Sequence, residues 1–315
     1  MQKVTIVIPN YNGRRLLENC LKTLENQTYT DFKVLIIDNG STDGSKEIIS
    51  DTLDMEMVSL ETNLGFCGAV NLGIQMTNTP YIILLNNDTE TDRYFVETLL
   101  KAIERSEKIF SCGAQMIDFQ NHKILDNAGD LYTAMGWAVA RGKGKRCIDY
   151  EKKKRVFSCC AGAAIYRMDI LNQIGGLDEH HFAYLEDVDL GYRARIHGFE
   201  NWYIPEAKVY HVGSATTGAR YNEKKVFLAA RNTIFVIYKN MPVLQLALNV
   251  PFIFIGMLIK TLFFVRKGFG EDYCKGILEG ICDCKKCWKV KFRMKNLSNY
   301  FKIQLELWCN LVRII

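Results

Sequence analysis

The feature that most constrains this chain is a set of apolar runs that each stop abruptly at a polar cluster. "VTIVI" (residues 4–8) ends at Pro9-Asn10-Tyr11-Asn12, "KVLII" (33–37) at Asp38-Asn39-Gly40-Ser41, and "YIILL" (81–85) at Asn86-Asn87-Asp88. A short run of this kind, bounded by polar residues, reads as a strand buried on both faces. Between the runs the period changes. Leu16, Leu17, Cys20, Leu21 and Leu24 fall at helical spacing, "MEMVSLE" (55–61) reads as a weaker strand, and "NLGFCGAVNLGIQMT" (63–77) as a Gly-rich loop opening a helix. A Gly/Ser/Thr/Asp loop after Asp38 predicts a helix from about Ser45, and "DRYFVETLLKAIE" (92–104) predicts another. Strands alternating with helices at this spacing imply a mostly parallel α/β sheet, and such sheets bind ligands at the C-terminal ends of their strands. Three polar ends at one edge argue for a site more strongly than any one of them, since a single cluster could also be a plain strand cap.

From about Ser111 the segments shorten. Residues 131–156, "LYTAMGWAVARGKGKRCIDYEKKKRV", are rich in Gly and Lys and read as a mobile surface loop around Trp137, suited to closing over a ligand. "SCCAGAAIYRMDIL" (158–171) reads as strand, turn and helix, a further helix starts near Glu186, and "NWYIPEAKVYHVG" (201–213) is a strand ending near His211. Residues 220–242 read as a helix. Residues 243–265 are long enough to span a bilayer but are interrupted by Gln245, Asn249, Pro251 and Lys260, so an interfacial or re-entrant helix pair is expected.

Charge divides along the same line. From Ala215 onward 17 Lys and Arg face 6 Asp and Glu, a net of +11 within an overall +5, so an acidic body carries a basic tail suited to an anionic surface. The start, Met1-Gln2-Lys3 and then a strand, reads as no signal peptide. With eleven scattered cysteines this suggests reduced thiols in the cytoplasm. Cys274, Cys282, Cys284 and Cys287 depart from paired C-x-x-C spacing, so ordinary thiols are expected over zinc.

Asp88, a carboxylate beside amides at a strand end, suits a hard divalent cation, and His211 is the best second ligand, although a lone His is as often structural. So few protein ligands require a substrate that supplies the rest, as a diphosphate does. Neither G-x-x-x-x-G-K-[ST] nor G-x-G-x-x-G is present, which leaves a nucleotide neutralised by metal. Asp38 suits a base or ribose, and the Asn63–Asn71 turn suits close backbone approach. Glu186, Asp187 and Asp189 crowd a helix start. This reads either as capping or as a base at Asp187, with Arg193 or Arg195 holding a neighbouring acid.

"VTIVIPNYNG", "VLIIDNGSTDGS", "NLGFCGAVNLGI", "ILLNNDT", "GLDEHHFAYLEDVDLGYRARIHGF" and "VYHVGSATTG", in this order, resemble the inverting family 2 glycosyltransferases, nearest to their rhamnosyltransferase-like branch. The resemblance covers roughly residues 3–240. It implies the glycosyltransferase A-type fold over residues 1–240, with residues 241–315 as a helical, apolar and basic extension. It also implies a hexosyltransferase that moves a sugar, rhamnose first, from a nucleoside-diphosphate donor to a glycan or lipid-linked glycan in bacterial surface polysaccharide synthesis. Carried over by position, Pro9, Tyr11, Asp38, Asn63, Gly65, Asn71, Asn87 and Asp88 would surround the donor, Asp88 and His211 would hold Mg2+ or Mn2+, and Asp187 would be the base. The departure is Asn86, where the longer motif has Asp. The partners implied are dTDP-rhamnose or a UDP-sugar (galactose, glucose or N-acetylglucosamine), the acceptor glycan and the inner membrane surface, with no nucleic acid; a homodimer stays open. The rivals are a nucleotidyltransferase, which the turn after the first strand fits poorly, and a non-catalytic glycan-binding or scaffold protein on the same fold.

Overall fold

A computed structural model describes residues 2–213 and 221–314, so residues 214–218 of the sixth motif lie outside the described residues. The expected alternation is present. β1 (Val4–Asn10), α1 (Arg14–Leu24), β2 (Phe32–Asp38), β3 (Met55–Ser59), α2 (Gly65–Met76) and β4 (Tyr81–Leu85) follow in order. β1 lies between β4 and β2 and runs parallel to both, and β3 extends the sheet beyond β2. The loop after Asp38 forms only one 3-10 turn, Ser45–Glu47, in place of the predicted helix. Its polar side chains are used locally instead, for instance Asp43 Oδ1 accepting from Ser45 Oγ (2.5 Å).

The chain continues through β5 (Thr89–Thr91), α3 (Phe95–Ile103), β6 (Ile109–Asp118), β7 (Leu125–Asn127), β8 (Asp130–Tyr132), β9 (Ala138–Ala140), β10 (Lys154–Val156), β11 (Ala163–Arg167), α4 (Met168–Ile174), α5 (Glu186–Ile196) and β12 (Glu200–His211); β8 and β9 pair with each other in a separate two-stranded sheet, and the other strands join the main one. β11 enters antiparallel between β4 and β6, β12 runs parallel to β6, and β5 pairs antiparallel with the end of β12. One apolar layer packs α1 and α3 on one face, with Leu17, Leu21, Phe95 and Leu99 against Ile6, Ile36 and Ile83; Val7, Ile37 and Leu84 meet α2 and α4 on the other.

Residues 131–156 do not form a free loop. Tyr132 and Ala134 are fully buried, with Phe157, Tyr192 and α9 (Leu297–Arg313). Ala134 N donates to Leu307 O (3.2 Å), and Asn310 Nδ2 donates to Tyr132 O (2.9 Å). Residues 131–135 have a large apolar component that is satisfied by docking, while most of residues 143–155 are exposed and retain the expected surface character.

Three more helices complete the fold: α6 (Glu223–Asn240), α7 (Val243–Arg266) and α8 (Gly270–Asp283). The expected pair over residues 243–265 is one continuous helix that contains Pro251. The reason is visible in its inward stripe. Gln245, Asn249, Ile253 and Gly256 are its buried residues, at intervals of three and four. Gln245 Oε1 accepts from the Tyr192 hydroxyl (2.8 Å), and the Asn249 and Gln304 amides bond reciprocally (2.8 Å each). The polar interruptions are therefore the side that docks on the protein, and the outward side is apolar.

Candidate active site

The C-terminal ends of β4, β1 and β2 stand side by side, and their polar residues interlock. Asn10 pairs in register with Asp38. Asn10 Nδ2 donates to Asp38 Oδ2 (3.1 Å), Ser41 N donates to Asp38 Oδ1 (2.9 Å), and Asn87 Nδ2 donates to Asn10 Oδ1 (2.6 Å). A Cβ on Gly13 would lie 2.2 Å from Asn87 Nδ2, so this turn closes only with glycine there. Asp38 is fully buried beneath this layer, while Pro9 is half-buried and Tyr11 exposed above it. Asn39 ties the next turn to the same edge, donating to Asn63 Oδ1 and Gly65 O (3.0 Å each).

Two predicted residues have employment that the sequence did not suggest. Gly65 (φ +77°) backs onto Phe182, whose ring and carbonyl would lie 2.6 Å from an added Cβ. The Asn71 amide donates to Leu177 O and Glu179 Oε1 (2.9 Å each) and accepts from Leu177 N (2.9 Å). Both dock the segment that leads into α5.

Asp88 and His211 are brought together by the β5–β12 ladder, in which His211 pairs with Thr89 and Val212 N donates to Asp88 O (3.0 Å). His211 Nε2 lies 3.3 Å from Asp88 Oδ1, and Nδ1 lies 2.9 Å from Asp126 Oδ2. Asp88 Oδ1 is buried without a well-formed hydrogen bond. An orphaned carboxylate oxygen beside an imidazole fits a hard divalent cation, and oxygens from a diphosphate would complete such a sphere. The two flanking carboxylates raise the His211 pKa to about 9 against the effect of burial, so without a cation the ring is an imidazolium at neutral pH.

On the other side stand three acids. Asp187, at the start of α5, accepts from Val188 N (2.7 Å) and Ala161 N (3.4 Å) and keeps an open edge. Glu186 and Asp130 are buried beside it. Burial first, and the Asp187 charge second, push both up to about 8. Burial also raises Asp187, and the backbone N–H groups of Val188 and Ala161 oppose that rise. Glu186 Oε2 has no partner; Asp130 is held by neutral Asn127 Nδ2 (2.8 Å) and Ser158 Oγ (3.1 Å). Asp187 is thus the member of the cluster that combines backbone N–H donors with an open edge. Two short segments connect this acid cluster to the Asp88 side. Gly162 O accepts from Asn86 N (2.9 Å), one residue from the Ala161 N that donates to Asp187, and residues 126–130 carry both Asp126 and Asp130.

Helix α6 holds the loop before Asp187. Phe182, Tyr184 and Leu185 all have positive φ (61°, 74° and 66°), a conformation that costs free energy unless the surroundings enforce it. From α6, Asn232 Nδ2 donates to His181 O, Ala183 O and Tyr184 O (3.0, 2.8 and 2.8 Å), and Arg231 Nη2 to His180 O and His181 O (2.9 and 3.1 Å). Lys239 Nζ is fully buried between Asp178 Oδ2 and Asp189 Oδ2 (2.9 Å each), and Arg193 Nε meets the same Asp189 oxygen at 3.0 Å. Arg193 is thus the arginine on the neighbouring acid, whereas Arg195 pairs with Glu306 of α9. Asp178, His180 and Cys287 also present ligand atoms within 4.8 Å of one another, but the Lys239 ammonium already on Asp178 opposes a cation there. Sequence reasoning missed Asp126, Asp130, Asn232 and Lys239. Only the acids of "DNAGD" (126–130), at the end of a short strand, carried a signal of the kind used for Asp88.

A mixed sheet with helices on both faces, its strand ends carrying this acid–imidazole pair and a separate acid at a helix start, has the architecture of a glycosyltransferase of the A-type fold. The chain belongs to glycosyl transferase family 2, whose family model matches residues 5–175. Among its relatives, the N-acetylglucosaminyl-diphospho-decaprenol L-rhamnosyltransferase of Mycobacterium tuberculosis is 26% identical over 264 residues, covering 72% of this chain and 84% of the relative. The O-antigen chain rhamnosyltransferase RfbN of Salmonella typhimurium is 27% identical over 241 residues, covering 72% and 73%. Similar solved structures include the mannosyltransferase PcManGT from Pyrobaculum calidifontis in complex with GDP-Man and Mn2+ (TM-score 0.56, 12% identity, 90% of this chain and 86% of that one). GalNAc-T7 with UDP, GalNAc and Mn2+ matches with TM-score 0.57 and 15% identity, over 75% of this chain and 48% of that one.

Proposed function

We propose that this family 2 glycosyltransferase moves rhamnose from a thymidine-diphosphate donor to a hydroxyl of a lipid-linked glycan, with inversion at the sugar carbon. The names of its rhamnosyltransferase relatives support the sugar and the acceptor class. The observation that carries the mechanism is the pairing of an orphaned Asp88 oxygen beside His211 with a part-open Asp187 carboxyl across residues 160–162. Pro9 and Tyr11 receive the nucleoside, with Asp38 and Asn87 beneath them bracing the layer and the Asn63–Gly65 turn flanking; Asn71 serves the site by fixing residues 177–179. Asp88 and His211 hold Mg2+ or Mn2+, which when bound neutralises the charge developing on the departing diphosphate. Asp187 takes the acceptor proton as its oxygen attacks the face opposite the leaving group. Glu186 and Asp130 stay protonated.

The same proposal takes residues 1–240 as the catalytic unit and 241–315 as its extension, and seats the enzyme on the inner membrane surface. Eleven large apolar side chains of α7, among them Leu244, Phe254, Leu258 and Leu262, are exposed. The inward stripe of α7 is bonded to α5 and α9, so the helix cannot stand across a bilayer without carrying them along. It suits lying in the interface. Incubation with Mn2+ and, separately, dTDP-rhamnose and UDP-sugars tests the function. Turnover of dTDP-rhamnose that is lost in Asp187→Asn is expected. Turnover of only a UDP-sugar would replace the donor, and none with any donor would favour a binding protein.

A further inference from the structure

Asp126 lies in none of the motifs that carried the sequence reading, yet its carboxylate is 2.9 Å from His211 Nδ1. We infer that Asp126 is the positioning residue that makes His211 a metal ligand, by holding the ring with Nδ1–H toward Asp126 and the Nε2 lone pair toward Asp88. This rests on the reading of His211 as a ligand.

The geometry separates the two acids. Asp88 Oδ1 faces Nε2 at 3.3 Å, and Asp126 faces the other nitrogen. The ring nitrogens point away from each other, so an acid on Nδ1 acts through the imidazole and does not share its cation. A neutral imidazole protonated on Nδ1 has its only free lone pair on Nε2, and a carboxylate on Nδ1 both selects that tautomer and makes Nε2 more basic. Asp126 is itself well fixed. It sits in β7 between Leu125 and Asn127, which pair with Ile117 and Met116 of β6, and its second oxygen pairs with Lys143 Nζ. Lys143 balances the Asp126 charge when the ring is neutral. One short strand thereby serves both halves of the site, since Asn127 holds Asp130 beside the base.

The test is Mn2+ binding to the full chain by electron paramagnetic resonance, which counts free Mn2+, with saturating dTDP and again with UDP. Asp126→Asn is expected to weaken Mn2+ binding by about 10–100-fold, as losing an outer partner of a metal-bound His does. Asp126→Ser gives a second variant should the amide disturb folding, and Asp126→Glu restores most of the affinity. His211→Ala should weaken binding at least as much, and Asp126→Asn added to His211→Ala should cost no more than about threefold further. Unchanged binding in Asp126→Asn and Asp126→Ser, with binding weakened in His211→Ala, would overturn this inference alone. So would losses that multiply in the double variant, because Asp126 would then act without the ring. Unchanged binding in His211→Ala would overturn the metal reading of His211 as well.

Discussion

At the scale of single residues, the proposed site turns on three acids that share one buried environment and differ in their hydrogen-bond donors. Asp187 has two backbone N–H groups on its carboxylate, Asp130 has two neutral side chains, and one Glu186 oxygen has none. Asp187→Asn is therefore expected to lower kcat by about 10²–10⁴, the range for losing a positioned base. Asp130→Asn and Glu186→Gln, which replace acids already protonated at neutral pH, should stay within about threefold of wild type. Those two also make a stability prediction. Their carboxyls hold protons up to about pH 8 in the folded chain but lose them near the ordinary range when unfolded. The folded state then binds more protons between those limits, so wild-type stability falls as pH rises toward 8. Melting curves should put both variants above wild type by a margin that grows from pH 4 to pH 8 and then levels off. A margin that shrank over that range would contradict the assignment.

At the scale of elements, α6 appears in the sequence as an ordinary amphipathic helix, yet it organises the catalytic loop. Its Asn232 holds three carbonyls of a segment with three non-glycine residues at positive φ, and its Lys239 neutralises Asp178 and Asp189. Asn232→Ala should cost about 1–3 kcal/mol, as buried carbonyls lose their donor, and should lower kcat with little change in KM if the loop's role is to aim Asp187. Lys239→Met leaves Asp178 without its lysine and Asp189 with Arg193 alone, and about 3–5 kcal/mol of lost stability is expected. Adding Asp178→Asn should restore part of that, read by denaturant unfolding. α7 shows the complementary lesson. Gln245 and Asn249 looked like breaks in an apolar span, and they form the seam by which the span is fastened to the protein.

At the scale of the whole molecule, the acidic body and basic tail of the sequence become a catalytic sheet backed by helices whose outer side is apolar. Vesicles containing anionic phospholipid should co-sediment the full chain, and neutral vesicles should do so less well. Salt should weaken the binding, because screening removes the attraction of the lysines and arginines. Phe254→Glu with Leu258→Glu, both on the exposed side of α7, should abolish co-sedimentation without lowering the melting temperature. Undiminished binding would mean that another surface meets the lipid.

The sequence by itself determined the strand–helix alternation and the placing of Asp88 and His211 near strand ends and of Asp187 at a helix start. Strand burial and the chemistry of strand ends are local patterns, written in runs of four to twelve residues. It did not reveal that Asp126 stands behind His211, that Asp130 shares the environment of Asp187, or that Asn232 and Lys239 hold the loop from α6. Those contacts join residues 48 to 85 positions apart, such as Asn232 with Tyr184 and Asp126 with His211, and no local period encodes them. Residues 131–135 made the same point in reverse: they read as part of a surface loop, and only the arrival of α9 gave Tyr132 and Ala134 somewhere to be buried. Which polar groups face each other in a folded core is decided when distant elements close on it, because burial there is stable only where each such group meets a partner.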